Sequence, residues 1–490
     1  MNVLLATQTQ AQNPIQPQDP IQPKRKIIII GDVILDHTIQ GLVHRIANEA
    51  PVPVLKKDPS EAGETVTLGG AANVAANVAA CGAITKLYSI VGDDLYGSIL
   101  RDIIPQDIEA HLIRAPASHP TTVKHRAFVH DALLFRYDEE SKTIPASTID
   151  TLYSAVLDSI QQDPPDAIIF SDYGNGVCSA SHIRTIIHTA RINGIPTIVD
   201  AKGNYERYIG ATVLKPNRAE AAAYVDLSKD THVGALHQYL YEKAPTDYTC
   251  ITMSEDGVSM YDHKAGIRTE QAVPHKYTVN DVTGAGDVAT AVLAYCFATK
   301  TPIHHTLYCM SALATISVQH MNTYVLQPAD FWTVRRNLNK RLETHEIAHI
   351  PKTLGPIVFT NGCFDMLHAG HVKQLKYAKE QGAILIVAIN SDTSVAALKG
   401  PSRPIIPQEQ RAALIDALEC VDYYFIFDEL SPASYVEKIR PAVLVKGADY
   451  TVDRISSAVY AGRVELVPLY PGVSTSTIID RITHVYSQPI

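Results

Sequence analysis

This 490-residue chain has no CxxC pair, no apolar run of membrane-spanning length and no excess of basic residues. Its seven cysteines are odd in number and scattered singly. That argues against a disulfide framework and a structural zinc site and fits a reducing cytoplasm. A membrane span needs about 18 to 20 apolar residues, and the longest candidate, Val288 to Ala298, is too short. A net charge of −9 leaves no electrostatic footprint for nucleic acid, and Lys24-Arg25-Lys26 reads as a solubilising edge before the first strand. Gln and Pro dominate Gln8 to Gln22 where a secretory signal would have basic, apolar and cleavage regions. Residues 1–25 are therefore expected to be a disordered tail. A hydrophobic content of 46% with mean hydropathy near zero describes a soluble globular chain, and its length calls for two or three domains.

Ile27-Ile28-Ile29-Ile30 followed by Gly31-Asp32 reads as a buried strand entering a loop. Similar runs recur at Ala167 to Phe170, Thr197 to Val199, Ala211 to Leu214 and Thr249 to Met253, separated by helical stretches. That rhythm predicts a parallel α/β sheet, in which the loops after strand C-termini carry the site. Asp32, Asp172, Asp200, Asn217 and Ser254 become candidates by position. Residues 36–68 and 121–137 are rich in β-branched residues and short turns and predict a small lid sheet over the substrate. From Phe331 to Pro356 the chain is charged and ends in Pro351 and Gly355-Pro356, the pattern of a partly helical linker. Beyond it the α/β pattern restarts, with strands at Ile357 to Thr360, Ile384 to Ile389, Ala442 to Val445 and Val464 to Pro468 and a helix at His371 to Gln381.

Two phosphate-handling patterns of different design stand on this frame. In the first, Thr283-Gly284-Ala285-Gly286-Asp287 precedes a helical stretch. Successive amides at a helix N-terminus can hold a phosphoryl group, and small side chains leave the approach open. Asp287 beside that nest can accept a proton from an attacking sugar hydroxyl. Taken alone, the string also reads as a Gly-rich cap with an Asp favouring the helix dipole. In the second, His368-Ala369-Gly370-His371 puts two imidazoles three residues apart, with Gly370 leaving room for a phosphate. A zinc reading lacks a third ligand nearby and the HExxH spacing. Lys399, Arg403, Arg411 and Lys446 can supply positive field, and Ser474-Thr475-Ser476 before a helical run can offer hydroxyls and amides to phosphate. The plainer readings are surface charge for the arginines and a helix cap for the serines. Cys363 has no base relay and reads as packing.

Gly31-Asp32, Gly69 to Asn73, Asn217 to Glu220 and Asp281 to Asp287, in this order and spacing, resemble the ribokinase-like (PfkB) carbohydrate kinases. The resemblance implies Asp287 as catalytic base and Gly284, Ala285 and Gly286 as anion hole. Asn217, Arg218, Ala219, Glu220 and Ser254 would lie on ATP, with Glu220 reaching Mg2+ indirectly. Asp32, Asp36, Gly69, Gly70 and Asn73 would be sugar contacts. The strand Ile357 to Thr360 with its Asn361 to Asp365 loop and HxGH resembles the cytidylyltransferase-like nucleotidyltransferases, a Rossmann-like fold in which the two histidines hold triphosphate oxygens. There Thr360, Asn361, Gly362, Phe364, Asp365 and Asp392 join the cations and hydroxyls already named. The expected layout is a kinase domain over 26–330, a linker over 331–356 and an adenylyltransferase domain over 357–490.

The pairing of the two, with Gly31 to Asp36, Arg45 to Val54, Ser171-Asp172-Tyr173 and Val445 to Tyr450, resembles the bifunctional heptose kinase and adenylyltransferase family of lipopolysaccharide core synthesis. The implied reactions are phosphorylation of D-glycero-β-D-manno-heptose 7-phosphate at C1 by Mg-ATP, then adenylyl transfer to heptose 1-phosphate. A 7-phosphate calls for cations beside the sugar, and Lys124, Arg126, Arg136 and Lys202 are the candidates. A homodimer is the expected assembly, with ATP and heptose phosphates as partners and neither nucleic acid nor membrane. The chain departs from the family at Asn175, where a Lys is usual, and at Ala201, where the usual string is DPKG.

Overall fold

The computed structural model describes residues 24–486 apart from 58, 60–62, 117–118, 131, 275–276, 449–450, 452, 454 and 469–474. The segment expected as a disordered tail lies, but for its last two residues, outside the described residues. The chain divides into two compact units, one ending at Gln327 and the other beginning at Pro328.

The first unit is built on a nine-stranded sheet. Lys26–Gly31 is an interior strand, paired in parallel with Ala167–Asp172 on one side and Ile84–Val91 on the other. Thr197–Ala201, Val213–Leu214 and Tyr248–Thr252 extend it in parallel, and Val258–Asp262 and Ile267–Gln271 close it antiparallel. The Ile27 to Ile30 run is at most 1% exposed, as expected for a strand covered by helices on both faces. Both neighbours of the first strand are later strands, added on opposite sides of it, so its C-terminal end is a topological switch point. In open α/β sheets this is where ligands bind.

After Asp32 the chain leaves the sheet as a 14-residue strand, Val33–Ile46, which forms the spine of the expected lid. It pairs antiparallel with Glu64–Gly70 and Pro53–Lys57 and parallel with Val123–Val129, which in turn pairs with Ala132–Glu139. Strand alternation puts Asp36 and Lys124 on one face of the lid and their neighbours His37 and His125 on the other.

The second unit is a five-stranded parallel sheet in the order Tyr423–Phe427, Ile384–Asn390, Ile357–Gly362, Val443–Gly447, Arg463–Val467. Ile357–Gly362 is again the first strand and the switch point, and here it is also the middle strand. Residues 331–356, read from their charge as a linker, pack onto this unit's core. Pro328–Leu338 is a helix, and Trp332, Leu342, Ile347 and Ile350 are buried in the same cluster as Phe359 and Phe425. The Tyr423 hydroxyl donates to the Trp332 carbonyl at 2.6 Å. The charges that suggested a linker pair along its surface, Arg335 with Glu346 at 2.8 Å and Arg336 with Asp422 at 3.0 Å.

Gly31 sets the closest approach of two neighbouring interior strands: a Cβ there would lie 2.0 Å from the Ser171 carbonyl oxygen. Gly31→Ala is expected to destabilise the first unit by about 1 to 3 kcal/mol, the usual cost of overpacking. Trp332, the single tryptophan, belongs to the second unit. In urea denaturation the far-UV transition of the first unit should fall to lower denaturant while the Trp332 fluorescence transition stays in place.

Candidate active sites

Asp287 sits in the first turn of Ala285–Ala298 and is 2% exposed. Its Oδ1 accepts from the Tyr173 hydroxyl at 2.7 Å and its Oδ2 from the Asn73 amide at 2.9 Å. Gly284 makes the second bond possible. Its φ of 79° is left-handed, and a Cβ there would come within 2.8 Å of Asn73 Nδ2. A Cβ on Gly286 would meet nothing within 4 Å, which leaves the approach to the helix start open, while the Ala285 amide already bonds the Val282 carbonyl at 3.3 Å. Burial pushes the Asp287 carboxyl up to about 6, reinforced by the Asp200 and Asp36 charges and opposed by the Tyr173 and Asn73 hydrogen bonds. A buried carboxylate with that basicity, beside a helix N-terminus, can take a proton from a hydroxyl while the remaining first-turn amides hold an anion.

Asp32 is 2% exposed and already heavily engaged. Its Oδ2 accepts from the amides of Tyr173 at 2.8 Å and Asn175 at 3.1 Å, and its Oδ1 from Val177 at 3.2 Å. Expected as a sugar contact, it is found tethering the 173–177 loop. Burial and the Asp172 charge push its carboxyl up to about 6 against those three amides.

Asp36 pairs with Arg126 across the lid. Gly69 and Gly70 register against Ile34 and Val33. Lys124 lies 4.7 Å and Lys202 5.5 Å from the Tyr173 ring centroid. Burial lowers the Lys124 ammonium. For Lys202 burial also pulls downward, but Asp200 and Glu220 outweigh it and the net shift is upward. Arg136 is turned to Asp138, at 2.8 and 2.5 Å, and is 44% exposed.

Asn217 and Glu220 form a reciprocal capping box at the start of Arg218–Tyr224, with bonds of 2.8 and 2.9 Å, and Lys202 donates to the second Glu220 oxygen at 2.6 Å. The cap and the phosphate reading thus fall on the same two residues. Ala219 lies in that helix, and Arg218 bonds the Thr231 carbonyl at 3.2 Å. Ser254, with φ 53°, opens a single 3-10 turn. Sequence reasoning missed Lys215, 3% exposed and 3.0 Å from Asp200; the signal was its place directly after Val213–Leu214.

In the second unit His368 is the residue before Ala369–Glu380 and His371 lies in its first turn. Their rings stack at 3.8 Å, and the His368 amide reaches His371 Nδ1 at 3.4 Å. Thr360 donates to the Val445 carbonyl at 2.9 Å, and Lys446 donates to Asn361 Oδ1. Those bonds join the two strands flanking the switch point. The ring of Phe364, a buried residue with φ 49°, is the nearest group to a Cβ built on Gly362. Lys399 is exposed in the last turn of Asp392–Lys399.

Two expectations change here. Arg411 is fully buried and donates to the Ile406 carbonyl at 3.0 Å, to the Cys363 carbonyl and to Asp392 at 2.8 Å. It ties loops together out of reach of a phosphate, and it occupies Asp392. Asp365 likewise takes the Ile405 and Ile406 amides at 2.8 and 2.9 Å and pairs with Arg403. It therefore positions the loop that carries Arg403, whose Nη2 has no partner among the described residues. Thr475 opens the helix Thr475–Tyr486. Ser474 lies outside the described residues, as does the Ser476 side chain.

Among the described residues no group of three or more His, Cys, Asp or Glu is arranged around a metal ion, and no helix is long and apolar enough to cross a membrane. The two geometries define a sugar kinase joined to a nucleotidyltransferase. Residues 25–330 match the pfkB family carbohydrate kinase model and residues 359–481 the cytidylyltransferase-like model. The chain is 35% identical to the bifunctional protein HldE of Methylobacillus flagellatus, over 93% of this chain and 96% of that one. To HldE of Geobacter sulfurreducens it is 36% identical, over 94% and 96%. It belongs to the HldE family of bifunctional proteins. The fold of the first unit is also that of Escherichia coli phosphofructokinase-2, at 16% identity and a TM-score of 0.51 over 64% of this chain and 99% of that one.

Burial, with the charges of His368 and Lys399, lowers His371 to about 4, and burial lowers His368 as well. Both shifts favour neutral imidazoles at pH 7. A bound triphosphate favours imidazolium and raises their pKa, so nucleotide binding should take up protons. The associated affinity is complete below the free-state value and is lost as pH rises through the bound-state one. Calorimetry with an ATP analogue in HEPES and in Tris should give buffer-dependent enthalpies reporting uptake, and His371→Gln should reduce that difference.

Proposed function

We propose that this chain performs two steps of ADP-heptose synthesis for the lipopolysaccharide core. One is phosphorylation of D-glycero-β-D-manno-heptose 7-phosphate at C1 by ATP; the other is adenylyl transfer from ATP to the 1-phosphate. The carrying observation is that one chain, matching HldE proteins along nearly their whole length, holds both a buried base at an amide nest and a paired-histidine loop at a second switch point.

In the kinase step the C1 hydroxyl gives its proton to Asp287 and its oxygen bonds the γ-phosphorus as the bridging P–O bond to ADP breaks. The helix start at Gly284 to Gly286 is read as the donor to the charge that develops. Asn73 and Asp36 are placed for sugar hydroxyls, and Lys124, Arg126 and Lys202 for the 7-phosphate. In the transfer step an oxygen of the sugar 1-phosphate attacks the α-phosphorus and pyrophosphate leaves, with no protein nucleophile. His368, His371, Lys399, Arg403 and Lys446 hold the polyphosphate and stabilise its charge. The 7-phosphate must be removed by a separate phosphatase between the two steps.

Mg2+ bound to ATP neutralises phosphate charge in both steps. Mg2+ typically takes one or two carboxylates and otherwise phosphate and water. The donor set fits that mode, with Glu220 beside the kinase phosphates and no all-protein cage. The enzyme is read as cytoplasmic and homodimeric, the dimer supported by Ile46, Leu133, Phe135 and Tyr137, which leave the lid strands 55, 53, 47 and 48% exposed. A second reading, the same chemistry on another sugar phosphate, is favoured by Asn175, which is 4% exposed with no partner for its Oδ1 among the described residues.

Phosphorus NMR with Mg-ATP and the heptose 7-phosphate should show a 1,7-bisphosphate, and adding a 7-phosphatase and pyrophosphatase should yield ADP-heptose. Hexose phosphates outcompeting heptose in kcat/KM would decide for the second reading. Asp287→Asn should lower kinase turnover by about 10²- to 10⁴-fold and spare adenylyl transfer. His371→Ala should do the reverse, by about 10²- to 10³-fold. Two unaffected activities would defeat the assignment of both sites.

A further inference from the structure

The mechanism above uses Asp287 as base but leaves unexplained what keeps a carboxylate ionised and aimed in so buried a place. Asn73 serves one oxygen; the other is served by a residue quoted so far only as part of a string. The Tyr173 hydroxyl lies 2.7 Å from Asp287 Oδ1, and the residue itself is half-buried. Its location is set from three sides. Its backbone amide donates to Asp32 at 2.8 Å, in the bond set that also holds Asn175 and Val177. Its ring has the ammonium groups of Lys124 and Lys202 at 4.7 and 5.5 Å from the centroid, within cation–π range. We infer that Tyr173 is a positioning residue for the kinase reaction, its hydroxyl holding Asp287 in the ionised, correctly turned form that receives the sugar proton. This rests on the reading of Asp287 as base.

The chemistry runs one way. Burial and the charges of Asp287 and Asp200 raise the Tyr173 hydroxyl well above its usual value, so it stays protonated and donates to an ionised Asp287, which can only accept. A donor to a carboxylate stabilises the charged form, and each Asp287 oxygen retains a lone pair for a substrate hydroxyl. The titratable groups facing Asp287 are Tyr173 after Ala167–Asp172, Asp200 in Thr197–Ala201, Lys202 after that strand, and Asp36 and Lys124 on the lid. Asp200 and Asp36 oppose its ionisation, so without the phenol only Asn73 would bond directly to the charged form.

The test is the pH profile of kinase kcat/KM in the full chain carrying Tyr173→Phe, which keeps the ring between the two lysines and deletes only the hydroxyl. The acid limb, expected near 6 in the parent, should move upward by about one unit. That gives about five- to sixfold lower activity at pH 6, approaching tenfold below about pH 5 and closing above pH 8. A limb left in place, whatever the pH-independent loss, overturns the inference. Should Tyr173→Phe melt early, 3-fluorotyrosine at the same position, a stronger donor of nearly the same size, should move the limb downward, and no movement counts against the inference equally. Asp287→Asn separates the two levels. If it keeps turnover, the base assignment itself falls; if it is inactive while the Tyr173 limb is unmoved, only the positioning role falls.

Discussion

The kinase site hangs from one buried carboxylate. Asp32 leaves the first strand at the switch point and spends its oxygens on the amides of Tyr173, Asn175 and Val177. The neighbouring strand's loop is thereby folded back over the site. Its carboxyl is pushed up to about 6, which shows that burial and the Asp172 charge outweigh three amide bonds. The arrangement is retained although it works against the charge it uses. Through Tyr173 the tether reaches Asp287, and the Asp287 helix in turn presents its open N-terminal approach at Gly286.

The second unit solves the same problem with the same device. Asp365 follows its central strand and accepts the Ile405 and Ile406 amides while pairing with Arg403. Arg411, fully buried, pulls Ile406, Cys363 and Asp392 together from the other side. In both units the strand that starts the sheet is an interior strand with later strands on each side, so the chain must diverge at its end and leave a crevice. A carboxylate next to the crevice then holds the loop that would otherwise hang open. The groups left to meet a ligand are the ones these anchors position: Asp287 and Lys124 in one unit, the stacked histidines and Arg403 in the other.

Much of this was legible in the sequence because it is local. Ile27 to Ile30 can only be a doubly covered strand, Gly284 to Asp287 carries its left-handed turn and its helix start in adjacent residues, and the HxGH spacing places two imidazoles at a helix start. Asn217 and Glu220 satisfy each other within one turn, so their cap is written in their spacing. What went unread shares a feature: the partner is far away. Asp32 and Asp365, expected as ligand contacts, also hold amides 141 and 40 residues on. The charge of residues 331–356 concealed Trp332 and Ile347, which are buried against strands beginning at Ile357 and Tyr423. Tyr423–Phe427 itself, an edge strand of aromatic residues, lacked the aliphatic run that marked the others.

The sequence by itself determined the order of strands and helices, the two phosphate loops and the residue types able to do phosphoryl and adenylyl transfer, since these depend on backbone propensity and on neighbours within a few positions. Tertiary structure alone decided which carboxylates and cations face a ligand and which are consumed as struts. A buried charge must be matched by donors or counter-charges wherever the fold brings them, and in this chain the match comes from another strand's loop.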